Sequence, residues 1–372
     1  MMGMNQAEGE FLALLVHKGF LTEARARVVM GESREGESLP ACLEKAGLFP
    51  AGEAQRLFDN RVGENPQFAR YDIQRELGSG ATAYVFEATD KKDGGSYALK
   101  VLREEVARWR PKLERFVEEA QLLCRLRHPG LVAGHRVARD KGTVYLVMDL
   151  ISGETLEDRL LRGERYEELD ALRIVHQIAQ CLAYLRSEGL VHRDLKPGNV
   201  MDPGNGRVQL IDLGFAVQIG ETDESSTTVG TVEYIAPEQA RGEGGLDARA
   251  DIYSLGATLY HLTVGELPFA GESNQEVLLK QVMAELSSER IRELNLSPQL
   301  HYFIEKMMAK DRTIRYQAPE ELVLDLEEKL GNELVPEAGP EGDTPIVQRR
   351  PRHRRDAPTP RHGSKRPGRR RR

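Results

Sequence analysis

The chain has 372 residues, of which 40% are hydrophobic and 30% charged, and a formal net charge of −7. That is the composition of a soluble globular protein too long for one ordinary domain. Three cysteines (Cys42, Cys124, Cys181) with no framework spacing exclude a disulfide-stapled scaffold and point to reduced thiols. The start, MMGMNQAEGE, lacks the basic and apolar regions of a signal peptide, and no membrane span is expected, because no run approaches about 18 apolar residues. The expected location is cytoplasmic. The charge is uneven: Arg349–Arg372 hold 12 Lys/Arg against one Asp, so a tail of +11 follows a body of −18.

In chain order, residues 1–65 read as a helical repeat module. LLVHKGFLTEARARVVM returns 28 positions later as CLEKAGLFPAGEAQRLF, aligning Gly19 with Gly47, Phe20 with Leu48, Leu21 with Phe49 and Ala26 with Ala54. Each half reads as a helix end, a glycine cap and a second helix start, so two helical hairpins should bury their apolar faces on each other. RVGENPQFARY then serves as a linker.

Residues 71–151 show short β-rich runs, YDIQREL, AYVFEATD, GGSYALKVL and TVYLVMDL, interrupted by one helix predicted from Pro111 to Arg127. Residues 152–332 turn to helical periodicity, as in LDALRIVHQIAQCLAYLRSEG and RADIYSLGATLYHLTVG. Residues 333–372 shift to Pro, Gly and Arg and are expected to be disordered.

Polar chemistry is concentrated at four places. LGSGATAYVF (Leu77–Phe86) sets glycines 78 and 80 between two strand-like runs, where backbone N–H groups can approach phosphate oxygens. Lys100 lies in the apolar run YALKVL, an expensive setting for a cation without an anionic partner, and Glu119 on the predicted helix is the candidate. HRDLKPGNVM (192–201) is dense in charge and poor in packing residues, so its side chains must converge on a ligand. VQLIDLGFA adds Asp212, so Asp194, Asn199 and Asp212 supply oxygen donors of the kind that suit Mg²⁺ held jointly with nucleotide phosphates.

With these motifs in this order, residues 71 to about 330 resemble a protein kinase catalytic domain of the Hanks type, close to the bacterial serine/threonine branch. The resemblance implies an α+β bilobal fold, with a β-rich N-lobe and an α-helical C-lobe preceded by the small all-helical module. ATP and Mg²⁺ are the implied cofactors, with ATP between the lobes, and proteins bearing Ser/Thr hydroxyls the implied substrates. Nucleotide-binding residues would be Leu77, Gly78, Ser79, Gly80, Ala81, Thr82 and Val85, together with Ala98, the gatekeeper Met148, and Asp149 and Ile151 through their backbone. Ala83 stands where the family has a third glycine, and Leu213 where it has Phe. Lys100 would hold the α- and β-phosphates and pair with Glu119; Asp194 would receive the hydroxyl proton, with Lys196 beside the γ-phosphate. Asn199 and Asp212 would hold metal, and Thr231 would help shape the hydroxyl site. Ala236-Pro237-Glu238 would close the activation segment, Arg315 would pair with Glu238, and Asp251 would brace the catalytic loop.

Arg193 beside the catalytic Asp implies a need for an anion from the activation segment, and ETDESSTTVG offers hydroxyls, with autophosphorylation expected at Thr227 or Thr228. The amino-terminal repeat also resembles helical repeats at the N-termini of type II secretion and pilus ATPases. Without their Arg-rich signature, a docking or dimerising role is expected for it. The basic tail is suited to salt-sensitive contact with anionic partners or with the acidic body itself. A pseudokinase scaffold, joining partners through the repeat and tail, is the alternative. Loss of a catalytic position would favour it, and Lys100, Glu119, Asp194, Asn199 and Asp212 are all in place. A nucleic-acid-binding role would need a basic body.

Overall fold

The computed structural model describes residues 66–213, 217–218, 232–287 and 289–334, together with residues 38–49 and scattered positions between 11 and 54. Two compact units emerge, Met1–Ser152 with Ile211–Ala216, and Gly153–Leu210 with Val217–Arg372. The activation-segment hydroxyls Ser225–Thr228, Thr231 and the basic tail lie outside the described residues.

Near the start of the first unit, α1 (Leu39–Lys45) begins after Ser38 with Pro40 in its first turn, where a missing N–H costs nothing. It ends in a Schellman turn. Gly47 has φ +67°, its N–H donates to Glu44 O, and the N–H of Leu48 donates to Leu43 O at 3.1 Å. Leu43 and its repeat partner Leu15 are both buried, as are Ala54 and Ala26, in one cluster with Phe11, Leu21, Val29 and Leu39. Equivalent positions of the 28-residue repeat thus share a single apolar core.

An antiparallel sheet follows, formed by β1 (Tyr71–Ser79), β2 (Ala83–Asp90), β3 (Ser96–Leu102), β4 (Gly134–Asp140) and β5 (Thr143–Asp149) in the order β1-β2-β3-β5-β4. β4 and β5 meet at Lys141 and Gly142, both left-handed (φ 47° and 90°), a two-residue turn whose twist matches the strands it joins. Phe86, Leu99, Val101, Tyr145 and Val147 fill one core cluster with Phe68 and Tyr71. Helix α2 (Arg110–Arg125) starts and ends slightly before the expected Pro111–Arg127. Its Phe116, Ala120 and Leu123 recur at helical spacing and are buried. The helix runs so close to β4 that a Cβ on Gly134 would come within 2.9 Å of the Cys124 backbone nitrogen. Glycine there lets the helix reach the sheet and fixes the height of Glu119.

The second unit is helical around small sheets. β6 (Glu154–Thr155) pairs with β8 (Val200–Asp202), which pairs with β9 (Gln209–Leu210), while β7 (Leu190–Val191) pairs with β10 (Val217–Gln218). Thr155 and Asp158 form a reciprocal capping box at α3 (Leu156–Leu161), satisfying two otherwise orphaned amides. Behind it stand α4 (Glu168–Ser187), the short α5 (Pro237–Ala240), α6 (Ala248–Val264), α7 (Asn274–Met283), α8 (Pro298–Met307) and α9 (Pro319–Leu330). α6 is buried at every residue except Arg249 and His261, which makes it the core of the unit. At Gly256 a Cβ would stand 2.7 Å from that of Met307, so glycine sets the close contact with the end of α8.

Candidate active site

Lys100 projects from the middle of β3, where its strand pairs with both β2 (at Val85) and β5 (at Leu146). Strands on both sides hold it away from water. Its Nζ donates to Glu119 Oε1 at 2.7 Å and to Asp212 Oδ1 at 3.0 Å. Burial works to lower the lysine's pKa, but attraction to Asp212 and Glu119 outweighs it and holds the amine charged above its ordinary range. Burial is also the leading influence on Glu119, pushing its carboxyl up to about 7. Lys100 opposes that rise, while the negative Asp212 adds to it. One ammonium thus serves two carboxylates, one of them pushed toward its neutral form by burial.

The glycine-rich turn lies between β1 and β2. Gly80 N donates to Ala83 O at 2.9 Å, and Gly78 pairs with Val85. A Cβ on Gly78 would meet nothing within 4 Å, and one on Gly80 only Ala83 O at 3.5 Å. Neither glycine has positive φ. Protein packing therefore does not demand glycine here, whereas close approach by a ligand would. Ala83, standing at the family's third glycine, is buried in β2 opposite Leu102, so its methyl group is absorbed by the sheet.

Among the residues assigned to the adenine, Ala98 and Met148 are buried cross-strand partners, Asp149 ends β5, and Ile151 follows two residues later. Leu77 on β1 is 39% exposed. Leu213, beside Asp212, is 1% exposed, so it fills the apolar position taken by Phe elsewhere in the family.

The catalytic-loop residues of the second unit form their own cluster. Asn199 Nδ2 donates to Asp194 O at 2.7 Å and Asp194 Oδ2 at 2.9 Å, and Lys196 Nζ stands 3.1 Å from Asp194 Oδ2. Both amide hydrogens of Asn199 are engaged, so the capacity left on its side chain is that of an oxygen acceptor. The loop is held from beneath: Asp251, on the first turn of α6, accepts the backbone N–H groups of His192 and Arg193, both at 2.8 Å. Burial raises the Asp251 carboxyl above its ordinary range, with His192 and those two amides pulling the other way. Arg193 has φ +66°, a left-handed backbone that L residues rarely adopt. Gln239 Nε2 caps its carbonyl at 2.9 Å.

Arg315 reaches Glu238 through both terminal nitrogens, at 2.7 and 2.8 Å. Its remaining donors meet the carbonyls of Ala309, Arg249 and Lys310. Five N–H groups thus have five acceptors.

Sequence reading did not single out Arg103, whose side chain reaches Ser79, Gly80 and Tyr84. It also missed Gln281, a buried residue of α7 that donates to the carbonyls of Val232 and Glu233. Nor did it find the Tyr234–His261 hydrogen bond. A polar residue at a strand end or within an amphipathic helix carries no local signal of the distant backbone it will meet.

An antiparallel five-stranded sheet carrying a lysine–glutamate pair, and a helical unit carrying an HRD loop braced by a buried aspartate, define a protein kinase domain. The model of the protein kinase domain matches residues 71–324, and the chain belongs to that family. It is 35% identical over 274 residues to a probable serine/threonine-protein kinase of Streptomyces coelicolor, a match covering 72% of this chain and 41% of the relative. It is likewise 35% identical to the serine/threonine-protein kinase PknB of Mycolicibacterium smegmatis (69% and 42% covered) and 33% identical to PrkC of Bacillus subtilis (69% and 40%). The chain spans about two fifths of the length of these relatives. Among the described residues no helix is long and apolar enough to cross a membrane.

Proposed function

We propose that this chain is a serine/threonine protein kinase that transfers the γ-phosphoryl group of ATP to protein hydroxyls, with Mg²⁺ as cofactor. The observation that carries this reading is Lys100, buried in a sheet and bonded at once to Glu119 and Asp212. In phosphoryl transfer the protein supplies positioning and charge neutralisation rather than covalent chemistry. Lys100 orients the nonreacting phosphates, and Glu119 keeps its ammonium in place. Gly78 and Gly80 offer backbone amides without a side chain in the way. Asp194 accepts the hydrogen bond, and finally the proton, of the incoming hydroxyl, while Lys196 offsets charge beside it. Asn199 and Asp212 each offer an oxygen that fits a hard cation, and Mg²⁺ bound to them would supply positive charge to the phosphates. Thr231 completes the hydroxyl site, and Thr227 or Thr228 is the expected autophosphorylation target.

The identity of the relatives and the full set of charged positions support an active enzyme over a scaffold. Radiolabel transfer from ATP to a panel of candidate proteins tests it. Asp194→Asn should lower transfer by about 10²–10⁴-fold. Equal, near-zero transfer by wild type and variant would instead favour the scaffold. We further assign the helical repeat to protein docking or dimerisation and the tail to salt-sensitive contact with an anionic surface, in a cytoplasmic protein. Retention on an anionic column that survives deletion of residues 349–372 would remove the tail assignment.

A further inference from the structure

Arg103 sits one residue beyond β3, three positions from Lys100. Its backbone N–H donates to Thr82 O at 3.0 Å, extending the β2–β3 ladder to the far end of the glycine-rich turn. From there the side chain folds back across that turn. The guanidinium lies 3.8 Å from the centroid of the Tyr84 ring. Nη1 donates to Tyr84 OH at 2.6 Å, Nη2 to Ser79 Oγ at 2.7 Å, and Nε to Gly80 O at 2.9 Å. One residue thus holds the end of β1, the turn itself and the start of β2.

The placement answers a need created by the glycines. Gly78 and Gly80 leave space for a ligand, but the same lack of side chains makes the backbone there permissive and the turn entropically costly to order. A planar fork spreads its donors over three nitrogens held in one plane and so reaches three separated acceptors, whereas the three donors of a lysine ammonium all leave a single nitrogen.

We propose that Arg103 is a positioning residue that pre-orders residues 79–83 for nucleotide phosphates. The inference rests on the MgATP reading above and deepens it. Ordering that is supplied before binding lowers the cost of binding, so the effect belongs in the affinity for ATP rather than in the chemical step.

The test uses the full chain, MgATP and two readouts. In Arg103→Ala, KM for ATP should rise about tenfold while kcat stays within about threefold. Amide hydrogen exchange at residues 79–83 should accelerate in the nucleotide-free variant, with the rest of the sheet unchanged. Arg103→Lys should recover only part of the KM, and Tyr84→Phe, which keeps the ring and deletes one acceptor, should raise KM about twofold. An unchanged KM in Arg103→Ala, or unchanged exchange at residues 79–83, overturns the proposal. If Arg103→Ala misfolds, Tyr84→Phe decides, and no rise in its KM is equally fatal. A wild-type chain that binds no MgATP defeats the kinase reading instead, while the exchange comparison still tests whether Arg103 orders the turn.

Discussion

Two buried ionic groups, one in each unit, show how the same kinds of charge serve different ends. Arg315 in the second unit has every donor matched and faces one carboxylate through two parallel bonds. Lys100 in the first unit faces two carboxylates with one ammonium. The first arrangement is closed, with no capacity left for a ligand. The second is unevenly shared, and an ammonium divided between two partly buried carboxylates leaves room for a bound cation beside them. Full satisfaction marks scaffold, and a shared ammonium marks the candidate site.

The largest effect should come from opening the closed group. Arg315→Met leaves Glu238 buried without its partner and should cost about 3–5 kcal/mol of stability, read by denaturant unfolding. Lys100→Met should behave in the opposite way. Transfer activity should fall about 100-fold or more. The fold should tolerate the change near pH 6, because Glu119, already raised to about 7, can remain protonated beside Asp212. That tolerance should fade toward pH 9, where both carboxylates must ionise. If the two variants instead lose stability equally at pH 6, the contrast between scaffold and site fails.

A smaller effect is expected at Asp251. Asp251→Asn replaces one accepting oxygen with a donor facing a backbone N–H, at a cost of about 1–3 kcal/mol, and loosens the catalytic loop so that activity falls with stability. The smallest is a pH effect. Burial lowers His261 from 6.5 to about 4, where its Nδ1 meets Tyr234 OH at 2.7 Å. The unfolded chain therefore binds the proton more readily than the folded one. Stability from this site is complete above about pH 6.5 and is lost as pH falls toward 4. The loss should be about 1–3 kcal/mol. His261→Asn should flatten unfolding midpoints across that window; an unchanged slope would clear His261 of any role.

Much of the candidate site was legible because chemistry at odds with its surroundings shows in one dimension. A lysine inside YALKVL is out of place in a strand unless a partner waits, and a run such as HRDLKPGNVM has no packing purpose. The sheet was legible from alternating β-rich runs, and the helical unit from its periodicity. The repeat was visible in the offset of 28 residues that aligns Gly19 with Gly47 and Ala26 with Ala54, and both alanines are buried in one cluster. Arg315, Glu238 and Asp251 were reached only through family resemblance, since nothing local says that an arginine 77 residues from a glutamate will meet it in the core. Arg103 and Gln281 escaped both routes. Their partners are mostly backbone carbonyls and hydroxyls, which every sequence has and none advertises.

The left-handed backbone at Arg193 has a consequence of its own. Glycine could adopt that conformation freely, whereas an arginine held there carries a strain of about 1 kcal/mol. Two side chains meet that cost by gripping the residue at both ends, Asp251 at its N–H and Gln239 at its carbonyl. Loosening either grip would let the main chain just ahead of Asp194 relax toward an ordinary conformation and carry the catalytic loop with it.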